Sequence, residues 1–351
     1  MLNLNHIQAT ASILVHIVHT LQRALEMFST LLINHCATVG GKPATVTFNA
    51  SPSYPSAIWD RQRRGEPAPK TWNSKDVSKF EGTLELTLLE RISEGRIGVT
   101  YVAKITSATQ GNTDHRAKLP ETVCLKFAKP EFSRSLAREA WFYEQLGSCQ
   151  GVSIPQFYGF FSSSMAEQPC FPDLEFTPWT NTRHRIEDTD KPPKNIDQYP
   201  SPDWLDDDLP AYQHRYEDPS GYRDNSPWYR WSRPRDNPTI SVMVLELLGE
   251  PCTGWKGPDV KMAIKEVLDD IARKGVVHTD FSAWNVLSLR DPLCSSVAAC
   301  SRHNVVHPWK VIDFDRCRMV DKKNRNWVGK KVPTSASRYL QNIDGFTFLC
   351  V

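Results

Sequence analysis

The 351-residue chain has almost no excess of charge of either sign. Its 42 Lys and Arg face 40 Asp and Glu, a formal net charge of +2. That balance speaks against a general nucleic-acid binder, which needs a basic excess or stripe to neutralise phosphates. The nine cysteines are scattered, and no C-x-x-C pair occurs among them. Cysteines scattered in this way are expected as free thiols in a reducing compartment, and not as a disulfide framework or a zinc site. The expected location is cytoplasmic (intracellular). Long apolar runs are lacking as well. His16, His19, Arg23 and Glu26 interrupt the N-terminal stretch, whereas a membrane span needs about 20 nearly unbroken apolar residues. Met1-Leu2-Asn3-Leu4-Asn5 has no basic start for a secretory signal. A membrane partner is not expected.

Residues 1–35 are expected as an amphipathic helix. Ile13, Leu14, Ile17, Val18, Leu21, Leu25, Phe28, Leu31 and Leu32 recur at helical spacing. Residues 36–83, rich in Gly, Pro, Ser and Lys, are expected as a linker, with Arg61-Gln62-Arg63-Arg64 a solvated run. A catalytic module is expected over 84–351. It opens on a strand at Leu84–Leu89 and a hairpin carrying Gly95 and Gly98, whose missing side chains let backbone N–H groups approach phosphates. Thr122–Ala128 is an apolar strand with one Lys on it, Lys126. A buried strand tolerates that ammonium only beside an opposite charge. The next helix, from Phe132 to Leu146, puts Glu139 on one face with Phe142, Tyr143 and Leu146. Glu139 is the expected partner of Lys126, with Glu144 second. Residues 167–237 are crowded with Pro, Asp, Arg, Trp and Tyr without a period, and are expected as a largely disordered surface insertion.

The centre of the chain is Val276-Val277-His278-Thr279-Asp280-Phe281-Ser282-Ala283-Trp284-Asn285-Val286-Leu287. A second apolar run, Trp309–Ile312, delivers Asp313-Phe314-Asp315. Transfer of the γ-phosphoryl group of ATP wants this set. One carboxylate orients the attacking hydroxyl, while another carboxylate and an amide oxygen hold Mg²⁺ against the phosphates. The stretch resembles the His-x-Asp-x-x-x-x-Asn loop and following Asp-Phe-Gly of the protein kinase-like superfamily. Asp313-Phe314-Asp315-Arg316 is most similar to fungal kinase-like proteins of unassigned substrate, which are related to aminoglycoside- and choline-type phosphotransferases.

The resemblance implies an α+β, two-lobed fold: a small antiparallel sheet with one helix, a hinge, and an abbreviated helical C-lobe. It implies Asp280 as catalytic base, Asn285 and Asp313 as metal ligands, and His278 as support of the loop. Lys126 would meet the ATP phosphates, braced by Glu139. Leu245 would be the gatekeeper beside adenine, and Glu246 and Leu248 would offer hinge backbone groups to it. The implied cofactors are ATP and Mg²⁺. The implied acceptor is a hydroxyl, with protein Ser/Thr slightly favoured over a small molecule. A catalytically weak relative serving as a binding or scaffold module is the alternative. The sequence departs from the kinase pattern at Thr279, where Arg is usual, at Ser282, and at Asp315 in place of Gly.

Overall fold

Phe28-Ser29-Thr30-Leu31-Leu32-Ile33 fits a helical spacing, yet it also alternates: Leu31 and Ile33 are fully buried and Leu32 is not. In the computed structural model alternation wins. The residues described are 28–56, 59–60, 72–169, 172–182, 223, 225–229, 231, 234, 237–253, 257–290 and 298–320. They form β1 (Phe28–Val39), β2 (Lys42–Ala50), β3 (Trp59–Asp60), β4 (Gly82–Glu94), β5 (Gly98–Gln110), β6 (Thr113–Asp114) and β7 (Thr122–Ala128). Helix α1 (Ser133–Gln145) follows, then β8 (Phe157–Ser164), β9 (Leu174–Phe176) and β10 (Thr239–Glu246). Helix α2 (Pro258–Arg273) leads to the short strands β11 (Val276–Val277), β12 (Val286–Ser288), β13 (Trp309–Val311) and β14 (Arg318–Val320).

The strands β1-β2-β8-β10-β7-β5-β4 pair in that order, and β4 pairs back onto β1. The result is a closed seven-stranded barrel, antiparallel at every pair except the parallel β1–β4 closure. This corrects the expected two-lobed α+β kinase fold. The described part is mostly sheet with two α-helices, and no helical C-lobe is among the described residues. The physical reason lies in β1 and β2, which curl a sheet into a ring by filling the gap between β4 and β8. Residues 28–35 belong to β1 and not to a helix; residues 1–27 lie outside the described residues. Within the expected linker, β2 alternates Val46 and Phe48 inward. It is joined to β1 by Gly40-Gly41, both at positive φ (56° and 76°). That is the two-residue turn whose twist suits a hairpin, and positive φ at both positions favours glycine. The expected insertion is corrected at its ends. β9 pairs with β1, Phe176 joins the barrel core, and Trp228 packs on Phe160 and donates its indole N–H to the Pro52 carbonyl at 2.7 Å. Residues 183–222 lie outside the described residues.

Period-2 patterning separates two cores. Leu84, Leu86 and Leu88 of β4, Val123, Leu125 and Phe127 of β7, and Ile240, Val242 and Val244 of β10 form one cluster, filling the ring. Each such side chain contributes about 1.5–3 kcal/mol by leaving water. The alternate residues of β10, Met243 and Leu245, join a second cluster outside the ring with Leu136, Trp141, Tyr143, Ile264, Val311 and Phe314. Helix α1 is the centre of that second core, and Trp141 and Tyr143 on it are fully buried. Among the described residues no helix is long and apolar enough to cross a membrane.

Candidate active site

The same alternation sets Lys126 on the opposite face of β7 from Leu125 and Phe127, so it looks toward α1. Its Nζ donates to Glu139 Oε2 at 2.6 Å and to Asp313 Oδ1 at 2.8 Å. Glu139 is 1% exposed. Glu144 is engaged elsewhere, accepting from Ser53 Oγ at 2.7 Å. Asp313 lies two residues after the end of β13 and has φ 69°, a left-handed conformation that Asp tolerates better than most side chains.

Asp280 is exposed, on the loop between β11 and β12. Asn285 Nδ2 donates to the Asp280 carbonyl at 2.8 Å, which fixes the amide in the loop of Asp280. The loops of Asp280 and Asp313 are tied together. Ile312 N–H donates to Asn285 O at 2.9 Å, Val286 pairs with Val311, and Thr279 Oγ1 donates to the Arg316 carbonyl. His278 Nε2–H donates to the Ile312 carbonyl at 3.0 Å, and its ring packs against Phe314.

Two groups at the site were not singled out by sequence as members of it. Arg96, at the tip of the β4–β5 hairpin, donates to Asp315 Oδ2 at 2.7 Å. Arg138, one residue before Glu139, donates to the carbonyls of Asp315 and Cys317 and so anchors the turn after Asp313 on α1. Nothing in a lone Arg on a helix or hairpin marks a partner some 180–220 residues away.

Glu139, Asp313 and Asp315 share Lys126 and Arg96, three carboxylates against two cations. Burial opposes the Lys126 charge, but Asp313, Glu139 and Asp315 outweigh it and hold the ammonium on well above the usual lysine range. Burial likewise opposes ionisation of Asp313, and Lys126 overcomes it, keeping that carboxyl below its ordinary range. Burial pushes Glu139 up to about 7 in spite of Lys126. Burial, then Asp313, raises Asp315. Asp313 is therefore the carboxylate that stays ionised most firmly.

Gly95 and Gly98 flank the hairpin tip, with Gly95 N–H bonded to Gly98 O at 2.9 Å. A Cβ on Gly98 would meet the Phe127 carbonyl oxygen at 2.5 Å, so no side chain fits unless β5 and β7 part. Gly98→Ala is expected to cost roughly 1–3 kcal/mol, in line with other overpacked sites. Gly95→Ala, whose Cβ would find its nearest atom at 3.9 Å, should change little. Urea unfolding of the two variants tests this, and equal midpoints would contradict it.

Leu245 is buried beside Cys124 of β7, two residues along from the Met243–Lys126 pair. The side chain of Glu246 is taken up by Lys310, 2.7 Å from each oxygen, and by the Gln156 N–H. Leu248 is 9% exposed. A cavity bounded by Phe28, Lys75, Val77, Phe80, Glu144 and Gln156 lies apart, and none of the candidate site residues lines it.

His278 carries a pH prediction. Burial holds its ring below the usual histidine range, and its Nδ1 is buried without a partner among the described residues. The unfolded chain therefore binds a proton more readily than the folded one. The stability from neutral His278 is present above about pH 6.5 and is lost as pH falls below it. His278→Gln keeps an N–H donor but cannot titrate. The margin by which wild type exceeds it in thermal midpoint should narrow between about pH 7.5 and pH 5. A margin independent of pH would mean the ring is not held neutral.

Compared with known proteins, the chain matches no family model, and no curated protein is similar to it in sequence.

Proposed function

We propose that this chain binds ATP with Mg²⁺ and transfers the γ-phosphoryl group to a hydroxyl. The carrying observation is Lys126 held between Glu139 and Asp313, with the loop of Asp280 and Asn285 bonded to the loop of Asp313. The proposal rests on these groups and not on a kinase fold, which the barrel replaces.

The residues fit a divalent ion. Asp313, the carboxylate here that stays ionised most firmly, sits on a loop bonded to the loop of Asn285. Asp313 and the Asn285 amide oxygen would hold the ion, hard oxygen ligands of the kind Mg²⁺ prefers. When bound, the ion neutralises charge on the phosphates. Lys126 offers its ammonium to phosphate oxygens, and Glu139 keeps it aimed. Gly95, exposed at the hairpin tip, leaves space for close approach, whereas Gly98 serves the packing of β5 on β7. Asp280, exposed to solvent, is free to accept a hydrogen bond from an incoming hydroxyl and orient it. Since each of these effects is positional or electrostatic, they supply what phosphoryl transfer chiefly asks of a protein.

The test has two stages. A rise in thermal midpoint with Mg-ATP, and not with Mg²⁺ alone, reports nucleotide binding. Transfer of labelled γ-phosphate to a panel of proteins and small alcohols then reports the reaction and separates the two acceptor classes. Binding without transfer would favour the scaffold alternative. Absence of binding would overturn the proposal.

A further inference from the structure

We infer a second, separate metal site, closed and tetrahedral, that takes Zn²⁺ on Asp270, Cys300, His303 and His307. It is independent of the phosphoryl-transfer reading. Cys300-x-x-His303-x-x-x-His307 is a paired-histidine spacing next to a cysteine, contrary to the expectation from sequence that no zinc site is present. The fourth ligand comes from 30 residues upstream, on the last turn of α2, where sequence spacing cannot reveal it.

The four ligand atoms lie within 4.8 Å of one another. His303 Nδ1 to His307 Nε2 and His307 Nε2 to Asp270 Oδ2 are each 3.2 Å. Cys300 Sγ lies 3.4 Å from Asp270 Oδ2 and 3.5 Å from His303 Nδ1, and His303 Nδ1 lies 3.8 Å from Asp270 Oδ2. Zinc bonds of about 2.0–2.3 Å put the corners of a tetrahedron about 3.3–3.8 Å apart. Five of the six edges therefore match a coordination shell, and the sixth, Cys300 Sγ to His307 Nε2, is within 4.8 Å. One thiolate, two imidazoles and one carboxylate form a donor set that suits zinc better than Mg²⁺ or Ca²⁺.

Polar accounting points the same way. His307 is fully buried at its side chain, and its Nδ1 makes no hydrogen bond among the described residues. That nitrogen faces Glu266 Oε2 at 3.6 Å, one helical turn before Asp270. If Nε2 donates to Asp270, a neutral ring turns a bare lone pair on Nδ1 toward a carboxylate. With a metal on Nε2, the proton sits on Nδ1 and Glu266 becomes the outer partner that a ligating histidine ordinarily has. Asp270 Oδ2 keeps its bond from Ser153 Oγ at 2.7 Å, and Asp270 Oδ1 keeps Arg302 Nε at 3.3 Å. Arg302 also lies against His303 Nε2 and pairs with Asp269. With a metal on His303 Nδ1 the proton moves to Nε2, so the Arg302 Nη2 turns from His303 to Asp269 while its Nε keeps Asp270. Binding releases the Cys300 proton, and any on the coordinating ring nitrogens, to solvent.

The site pins α2 to the loop that leads into β13, and hence to Asp313. The loop is itself a tight turn, with Cys300 N–H bonded to Val305 O at 2.8 Å and Asn304 at φ 56°.

The full chain, purified without chelator from zinc-supplemented medium, should carry about one zinc per chain by elemental analysis. Replacement with Co²⁺ should give the visible bands of a tetrahedral ion and a near-ultraviolet thiolate band. Cys300→Ser should remove the thiolate band, and Cys36→Ser, inside the barrel, should not. Glu266→Gln should weaken zinc binding by roughly 10- to 100-fold while leaving the fold intact. If a ligand variant fails to fold, the wild-type cobalt spectrum still decides. Folded wild type that takes up neither ion, with a thermal midpoint unmoved by chelator, would overturn the site and leave a hydrogen-bonded cluster only.

Discussion

Lys126→Met is expected to lower stability by about 3–5 kcal/mol above neutral pH, the usual result of removing one partner of a buried ion pair. The loss should be smaller under acid conditions. Lys126 is the shared cation of Glu139 and Asp313, and Glu139 is almost fully enclosed. Even with its partner, burial raises Glu139 to about 7. Its carboxyl thus binds a proton more readily folded than unfolded, and its contribution to stability falls as pH rises toward and through that value. Without the ammonium that fall should extend to higher pH. Below pH 6 Glu139 is mostly protonated in either protein, and the missing cation matters less. Thermal midpoints of wild type and variant across that range provide the measurement. Adding Glu139→Gln to Lys126→Met should restore part of the loss at high pH. A deficit that does not vary with pH, or a double variant no better than the single, would mean that the ion pair is not what Lys126 contributes. Phosphoryl transfer should be lost in both variants.

Asp280→Asn and Asp313→Asn are expected to fail differently. Asp280 is exposed and its side chain supports no buried partner in the described structure, so the fold should tolerate the change within about 0.5 kcal/mol. Its assigned contact, to the attacking hydroxyl, matters most in the transition state. The variant should bind Mg-ATP about as well as wild type and turn over slower by a factor of order 10² or more. Asp313→Asn removes a proposed metal ligand and also half of what holds Lys126, so it should lose nucleotide affinity as well as turnover. Asp315 is a weak substitute, because Arg96 already holds it. Calorimetric titration with Mg-ATP and single-turnover kinetics separate the cases. If Asp280→Asn loses nucleotide while Asp313→Asn keeps it, the roles are reversed.

Much of the site could be read from local pattern. A single Lys on an apolar strand demands a counter-charge, and the next helix offers Glu139 on its inward face; in the structure the two lie 2.6 Å apart. The order His278, Asp280, Asn285, Asp313 placed two loops side by side. The barrel was not legible in the same way. Leu31 and Leu32 suit a helical stripe, and a shift in register between Ile33 and Ala37, with His35 at φ 61°, breaks the alternation that would have marked a strand. β2 did carry its signal, Gly40-Gly41 followed by alternating Val46 and Phe48, but Gly and Pro content weighed more heavily than period. Closure depends on β1 meeting β4, some fifty residues later, and no local pattern announces such a pairing. Arg96 and Asp270 illustrate the same limit for side chains, since their partners are set by the fold.

The ring also constrains how the chain can be made. β10 fits between β7 and β8, although its residues begin 75 positions after β8 ends. Until Thr239–Glu246 leaves the ribosome, β7 and β8 each present an unpaired edge, and the strands made first have no closed ring to join. Closure must then bring together strands far apart in sequence, a topology that folds slowly and leaves its intermediates open to aggregation. Yield from cells should depend more on the temperature and pace of synthesis than on the stability of the finished barrel, and a chain stopped before β10 should be found in inclusion bodies.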